Sequence, residues 1–248
     1  MKKGYKYRIY PNDTQSKILS CIFGCARFVY NNSINFDSET YKKEKKSTSK
    51  NNLIKRIAQI KNEFPWLKEV PSQPLQQAVR HYFDAKSRFF KNVKNGAIPG
   101  FPAFKNKYDD QSISFPQSVK IINKKEIWLP KFSKKYGNIK ITLHREIPKG
   151  ATINTCTISK TRDGKYYASF TVDDGLKKPV KPPITENSKV IGIDLGVKTF
   201  ATTSDGCKYN LTLDLNKSLK KLERLQRNLS RKSKGSKNRN KARLRVAR

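Results

Sequence analysis

Strict alternation opens the chain: Tyr5, Tyr7 and Ile9 share one parity, Lys6 and Arg8 the other. That is the period of a half-buried strand, and Pro11 ends it. Asn12 with Gln15 three residues on has the form of a capping box. Ile18, Leu19, Ile22, Phe23, Ala26 and Val29 then recur at helical spacing, predicting a helix to about Phe36. Glu39 to Asn52 is polar and Lys/Ser-rich and predicts a flexible connection. A second helix is predicted over Asn52–Phe64, with Leu53, Ile57 and Ile60 inward and Pro65 as its stop. A third begins at Ser72, whose hydroxyl can cap it, with Pro74 tolerated in the first turn. Leu75, Val79, Phe83, Phe89, Phe90 and Val93 form its apolar side and read as helical core.

After a Pro/Gly turn region, Gly96 to Lys107, the pattern changes to short strands. Candidates are Gln111–Phe115, Val119–Ile122, Glu126–Leu129, Asn138–Leu143, Ile153–Ser159 and Lys165–Val172, with Asp163-Gly164 a hairpin turn between the last two. Short strands at this spacing suggest a small barrel. The N-terminal strand can pair into it, which leaves the three helices as an insertion. Lys177 to Asn187 holds Pro179, Pro182 and Pro183 and reads as a linker. A second domain is predicted from Lys189, with three meander strands near Lys189–Leu195, Phe200–Thr203 and Cys207–Leu211. Their turns are Gly196-Val197-Lys198 and Asp205-Gly206. Leu215, Leu219, Leu222, Leu225 and Leu229 then mark a helix, with Ser233 to Asn240 a flexible basic break within it.

Charge changes the picture more than length does. The 248 residues carry 54 Lys and Arg against 19 Asp and Glu, a net charge of +35. A chain that basic repels itself and is relieved by a polyanion, most commonly nucleic acid. Between Asp214 and Arg248 stand 14 Lys/Arg and 2 acidic residues. Like charges one turn apart destabilise a solvated helix, so this surplus fits a helix lying along a phosphate backbone, with Arg224, Arg227, Arg231 and Lys232 as contacts. An anionic membrane is the alternative polyanion, but no amphipathic membrane helix stands out. Gly4 to Asp13 offers no apolar signal core and no run is long enough to span a bilayer, so a cytoplasmic protein is expected. Cys21, Cys25, Cys156 and Cys207 form no CxxC pair, so no zinc site is expected. Cys21 and Cys25, one helical turn apart, read as small buried thiols.

Candidate chemistry centres on Lys189-Val190-Ile191-Gly192-Ile193-Asp194-Leu195-Gly196. A short apolar run bounded in this way reads as a buried strand. Ile191, Ile193 and Leu195 would share one face. Val190, Gly192, Asp194 and Gly196 would share the other, where small neighbours leave the carboxylate unscreened. Such a carboxylate can hold a metal ion near a phosphate backbone. Asp205, Asp214 and Glu223 are the acidic residues after it. They read as a turn residue, a helix start suited to the dipole, and an intrahelical partner of Arg227.

The order of these elements resembles the TnpB/OrfB proteins of insertion sequences, relatives of type V CRISPR nucleases. The resemblance is carried by Tyr7-Arg8-Ile9-Tyr10-Pro11, Gly24-Cys25-Ala26-Arg27-Phe28-Val29-Tyr30-Asn31, Trp66-Leu67 and Leu75-Gln76-Gln77-Ala78. It continues through Phe101-Pro102-Ala103-Phe104-Lys105, Leu129-Pro130-Lys131, His144-Arg145, Gly192-Ile193-Asp194-Leu195-Gly196 and Ser230-Arg231-Lys232-Ser233-Lys234-Gly235-Ser236. It implies an α+β protein with a wedge-type β-barrel (1–10 and 96–176) and a helical recognition insertion (11–95). A linker (177–188) and the N-terminal part of an RNase H-like RuvC domain with a basic helix (189–248) follow. It further implies a guide RNA from the element's own end, a double-stranded DNA target, and Mg²⁺-dependent cleavage by three carboxylates. Asp194 matches the first of these. The other two, and the family's Cys-rich zinc segment, belong to motifs beyond Arg248, so a natural truncation, a decayed copy and a deliberately shortened form are all compatible. Lys6, Arg8, Arg27, Lys105, Lys131 and Arg145 are the expected guide-phosphate contacts. Ser72, Gln73, Gln76 and Gln117 occupy the target-motif positions, and Gln can pair with adenine in the major groove.

Four functions remain distinct at this point. One is an RNA-guided DNA-binding module inactive by itself, since one carboxylate does not assemble paired Mg²⁺ ions. Another is an endonuclease completed by a second polypeptide. The Asp194 run also resembles the first phosphate loop of actin-like and Hsp70-like ATPases, although it lies late in the chain and Val197-Lys198 replaces the small hydroxyl residues. The last is a basic RNA-binding protein of ribosomal type. Contact with about eight phosphates gives a log–log salt slope of about −7 on duplex DNA and a shallower one on single strands. A salt titration of DNA binding checks this, and a flat dependence contradicts it.

Overall fold

The computed structural model describes residues 1–177, 180, 185, 188, 190–197, 199–210 and 215–248. Its first element is the alternating segment, β1 (Lys2–Tyr10), with Tyr5, Tyr7 and Ile9 buried. Asn12 and Gln15 form the capping box at the start of α1 (Asp13–Glu44), each side chain bonding the other's backbone N–H. Gln15 is buried, and its Nε2 also donates to the carbonyls of Tyr136 and Asn138, both at 3.0 Å. One side chain thus starts the helix and ties it to a segment 120 residues on.

Three helical stretches differ from expectation. α1 continues through Glu44, so the predicted flexible stretch is helical at its start and the turn to α2 (Lys50–Glu63) is short. Lys45 closes α1 in the left-handed region and Ser49 caps α2. Leu53, Ile57 and Ile60 point inward as predicted. A 3₁₀ turn, Pro65–Lys68, precedes α3 (Ser72–Lys94). Ser72 does not cap α3: the cap position is Pro71, without a side-chain hydrogen bond, and the Ser72 hydroxyl accepts from Lys61 Nζ at 2.7 Å. The aromatic stripe of α3 is core only in its first half. Leu75, Val79 and Tyr82 are buried, whereas Phe90 is 54% exposed and Val93 also faces solvent.

The short strands arrive close to their predicted places: β2 (Gln111–Phe115), β3 (Lys120–Ile122), β4 (Glu126–Trp128), β5 (Ile139–Thr142), β6 (Thr152–Lys160) and β7 (Tyr166–Asp173). A short helix, α4 (Phe132–Tyr136), was not predicted; it buries Phe132 between strands. With β1 the strands make one curled sheet in the order β2-β6-β7-β1-β5-β4-β3. It is a half-barrel, open between β2 and β3, where sequence suggested a closed barrel. β1 sits at its centre, antiparallel to both β7 and β5, and α1 to α3 are an insertion between β1 and β2. The inner face and the helices share one hydrophobic cluster that includes Tyr7, Leu19, Val29, Leu75, Phe115 and Phe170.

These elements lie in one unit, Met1–Lys177, and a second unit spans Lys178–Arg248. Most of the predicted Pro-rich linker lies outside the described residues. In the second unit β8 (Ile193–Leu195), β9 (Ala201–Thr203) and β10 (Lys208–Tyr209) form the predicted meander. α5 (Leu215–Ser230) and α6 (Lys237–Ala247) follow, capped at Ser236, so the basic break is shorter than predicted. Lys189, Lys198 and 211–214, Asp214 included, lie outside the described residues. Among the described residues no helix is long and apolar enough to cross a membrane.

A buried ionic clasp explains why α1 runs past Phe36. Asp37, 3% exposed, accepts hydrogen bonds from Tyr82 and Lys86 of α3, from the Thr48 backbone at 2.8 Å and from Ser47 Oγ at 3.2 Å. It joins α1, the turn after it and α3. Burial alone would raise the Asp37 carboxyl, but the bonds from Lys86, Tyr82 and Thr48 outweigh it and hold the group below its ordinary value. Its contribution is therefore complete above the unfolded value of about 3.9 and is lost as pH falls through the lower folded value. Lys86→Met, which strands the carboxylate, is expected to lower unfolding free energy by about 3–5 kcal/mol at neutral pH. Urea melts check this; a wild-type midpoint for the variant contradicts it.

Candidate nucleic-acid interface and the Asp194 strand

Antiparallel register places Asp194 opposite Thr202, and Thr202 opposite Lys208. These three share one face of the small sheet. Ile193 and Leu195 pair with Thr203 and Ala201 on the other. Gly192 is fixed by two bonds to Ser204: its N–H donates to Ser204 Oγ at 2.9 Å and its carbonyl accepts from the Ser204 N–H at 2.8 Å. Gly196 has a steric reason to be glycine, because a Cβ there would stand 3.0 Å from the Thr199 carbonyl oxygen. The alternation read from sequence holds through β8, but the run is not buried. Ile193 is 62% and Leu195 70% exposed, and Asp194 is exposed as well. The only buried residues described in this unit are Ala201, Thr203 and Ala242.

The other described acidic residues of this unit are committed elsewhere. Asp205 is held in its turn by the Thr203 hydroxyl and by the Cys207 N–H at 3.3 Å, and the first of these leads in drawing its carboxyl down. Glu223 pairs with Arg227 at 3.4 Å, one turn on in α5. Among the described residues no group of three or more His, Cys, Asp or Glu could hold a metal ion. A single carboxylate with a lysine two strands away on the same face does not fit a two-Mg²⁺ centre, which needs several bridging carboxylates. The thiols also divide. Cys25 is buried and pushed up to about 12 by burial, whereas Cys21, 4.0 Å away, is exposed, contrary to the expectation for both.

The expected phosphate contacts do not form one patch. Lys6 and Arg8 stand on the outer face of β1, with Arg8 5.3 Å from the Tyr167 ring centre. Arg145 belongs to the other side, stacked 4.1 Å over the core residue Tyr5, with its Nη2 donating to the Gly4 carbonyl at 3.1 Å. Arg27 and Lys105 line a cleft with Tyr30 and His81. Asn31 clamps the Lys105 backbone from both sides at 2.9 Å. The Lys105 ammonium lies 4.3 Å over Tyr30, and burial pushes its pKa down. Burial and then the Lys105 charge lower His81 in the same cleft.

Lys131 and Ser72, read from sequence as separate contacts, come together in a second cleft of about 220 Å³. Lys61, Lys68 and Lys135 line it too. Burial and the Lys131 charge both lower Lys61. Sequence reading missed these three lysines because they sit on three different elements. Lys131 adopts φ +63°, a left-handed conformation rare for residues other than glycine. Gln76 on α3 is exposed, Gln73 Oε1 is buried without a hydrogen-bond partner, and Gln117 lies exposed in the β2–β3 turn. In α5 no residue is buried, and Leu215, Leu219 and Leu222 are exposed on the helix that carries Arg224 and Arg227, whereas Arg231 and Lys232, expected on the helix, lie in the turn after it. Arg239, not predicted, closes the end of α5 by donating to the carbonyls of Leu229 at 3.1 Å and Lys232 at 2.8 Å.

Comparison with known proteins finds similarity along the whole chain. Residues 1–46 match a helix-turn-helix domain model of the OrfB/IS605 type, and residues 172–248 match the OrfB/IS605 probable-transposase model. A Streptomyces pristinaespiralis protein named as an RNA-guided DNA endonuclease is 32% identical over the whole of this chain and 59% of its own length. The Escherichia coli K12 protein InsQ, also named as an RNA-guided DNA endonuclease, is 31% identical over 99% of this chain and 58% of its own. This chain thus spans just under six-tenths of these relatives. Virulence protein VsdF of Salmonella dublin is 34% identical over 44% of this chain and 96% of its own. A cryo-EM structure of a Cas12f1–sgRNA–target DNA complex aligns with TM-score 0.48 and 16% identity, covering 95% of this chain and 58% of that one. With two family models matched at its two ends and full-length similarity between them, the chain belongs to the TnpB/OrfB family of insertion-sequence proteins.

Proposed function

We propose that these 248 residues form the part of an RNA-guided DNA endonuclease that grips guide RNA and positions target DNA. The observation that carries this reading is the contrast between an abundant basic surface and an isolated, exposed Asp194. In this reading the half-barrel is the wedge domain and α1 to α3 are the recognition insertion. The β8–β10 sheet with α5 is the first part of a RuvC domain. Lys6, Arg8, Arg27, Lys105 and Arg145 hold guide phosphates, as do Arg224 and Arg227 along α5 and Arg231 and Lys232 in the turn after it. The cleft shared by Ser72 and Lys131 receives a target-flanking phosphate, with Gln73, Gln76 and Gln117 as motif readers.

Mg²⁺ in this family supplies Lewis-acid activation for phosphodiester cleavage. Asp194 alone would offer such an ion a single ligand, so a polypeptide of these residues alone is expected to bind without cutting. Exposed Ile193, Leu195, Leu215, Leu219 and Leu222 favour a second reading. In it, further polypeptide covers these side chains and supplies the missing carboxylates.

Two experiments test the reading. Loaded with guide RNAs of different targeting sequence, the chain is expected to shift only the matching duplex DNA. It should leave that DNA intact in Mg²⁺, with Asp194→Ala binding unchanged. DNA binding indifferent to guide sequence would point to a plain basic RNA-binding protein, and cleavage lost on Asp194→Ala would contradict the single-ligand argument. Lys131→Gly relieves the left-handed strain of about 1 kcal/mol or more. It is expected to hold or raise the melting temperature while weakening target binding; a variant that binds as wild type removes Lys131 from the interface.

A further inference from the structure

Register fixes what the half-barrel shows to solvent. One row across the sheet reads Ser112, Ser159, Tyr167, Arg8 and Thr142, on β2, β6, β7, β1 and β5. The next reads Thr157, Ser169 and Lys6, with Ser114 buried at its β2 end, and a third Thr155, Thr171 and Gly4. The alternate positions, among them Ile113, Ile158, Phe170, Tyr7 and Ile9, are core. The face opposite the core is therefore a field of hydroxyls around two cations, and these three rows contain no carboxylate.

A ladder crosses that field. Arg8 lies 5.4 Å from the ring centre of Tyr10 and 5.3 Å from that of Tyr167, and Lys6 Nζ lies 4.8 Å from the Tyr167 ring. Aromatic and cation alternate from Tyr10 through Arg8 and Tyr167 to Lys6. Tyr10 is 51% exposed. A Cβ added at Gly4 would meet nothing within 4 Å, so the surface beside the ladder is open. Arg8 Nε is buried without a partner, and its Nη1 reaches only the Tyr167 hydroxyl, at 3.5 Å. The guanidinium keeps donor capacity that no protein acceptor uses.

We infer that the outer face of the half-barrel is a platform for an unpaired stretch of RNA. Interleaved rings and cations suit single strands, whose bases offer free π-faces while their phosphates remain in reach; a duplex hides those faces. In the bound state Lys6 and Arg8 turn to phosphates, Tyr10 and Tyr167 carry bases, and the Ser/Thr rows meet ribose 2′-hydroxyls. This deepens the guide-RNA reading and rests on it only in taking RNA as the partner.

The test is fluorescence anisotropy of the full chain with a short labelled oligoadenylate. A blunt RNA duplex and the matching deoxyoligoadenylate serve as controls. Tyr10→Ala and Tyr167→Ala are each expected to weaken oligoadenylate binding by about tenfold and to leave duplex affinity unchanged. Tyr167→Phe should keep wild-type affinity because the ring, not the hydroxyl, carries the stacking. Ser169→Glu, a change at a half-buried outer-face position opposite Lys6, should weaken oligoadenylate binding even if Tyr167→Ala misfolds. Wild-type oligoadenylate affinity in the alanine and glutamate variants overturns the platform, and equal competition by deoxyoligoadenylate overturns its RNA character. Ring-dependent oligoadenylate binding by a chain that ignores guide sequence on DNA would instead sink the proposed function and leave the platform standing.

Discussion

Backbone hydrogen bonding along β1 joins two half-sheets that are otherwise separate. On one side Lys2 to Ile9 pairs with Asp173 to Tyr166; on the other Arg8 to Tyr10 pairs with Thr142 to Lys140. Without this strand, β2-β6-β7 and β5-β4-β3 would each have an open edge facing the other. The strand's inner residues anchor the core, and its outer residues place Lys6 and Arg8 on the exposed face. Gln15 then fixes the direction in which the helical insertion leaves, by capping α1 and bonding the 136–138 carbonyls together. A local sequence feature and a long-range contact meet in one buried side chain.

Electrostatics pulls against this architecture. A net charge of +35 is held on a chain that also buries cations: burial lowers Lys61 and Lys105, and the Lys131 charge adds to it at Lys61. An anion entering either cleft would favour the charged forms of these lysines. The basic positions are shared among several surfaces of the half-barrel and its helices and, separately, α5. Such a distribution suits an extended, folded polyanion better than one small ligand.

Where local pattern and tertiary packing agree, the sequence was legible. The parity of Tyr5, Tyr7 and Ile9, the Asn12/Gln15 cap, the Asp163-Gly164 hairpin and the strand bounds from Gln111 to Asp173 all follow from rules of a few residues' reach. Glu39 to Glu44 was misread because its helix is held by Asp37 bonding to Lys86 and Tyr82, nearly fifty residues away. Phe90 and Val93 carry the same periodicity as Leu75 and Val79, yet no described core reaches them. Periodicity reports which side chains share a face, not whether anything covers it; the Asp194 strand teaches the same lesson. Lys61, Lys68 and Lys135 left no signal in the sequence, since a cleft made from three elements has no spacing rule.

The central claim is that this chain grips a specific RNA and carries it to DNA. Sequencing the nucleic acid that copurifies with the chain, expressed together with its own locus, tests that claim most directly. The account predicts a discrete short RNA transcribed from that locus. A random sample of cellular RNA would contradict it.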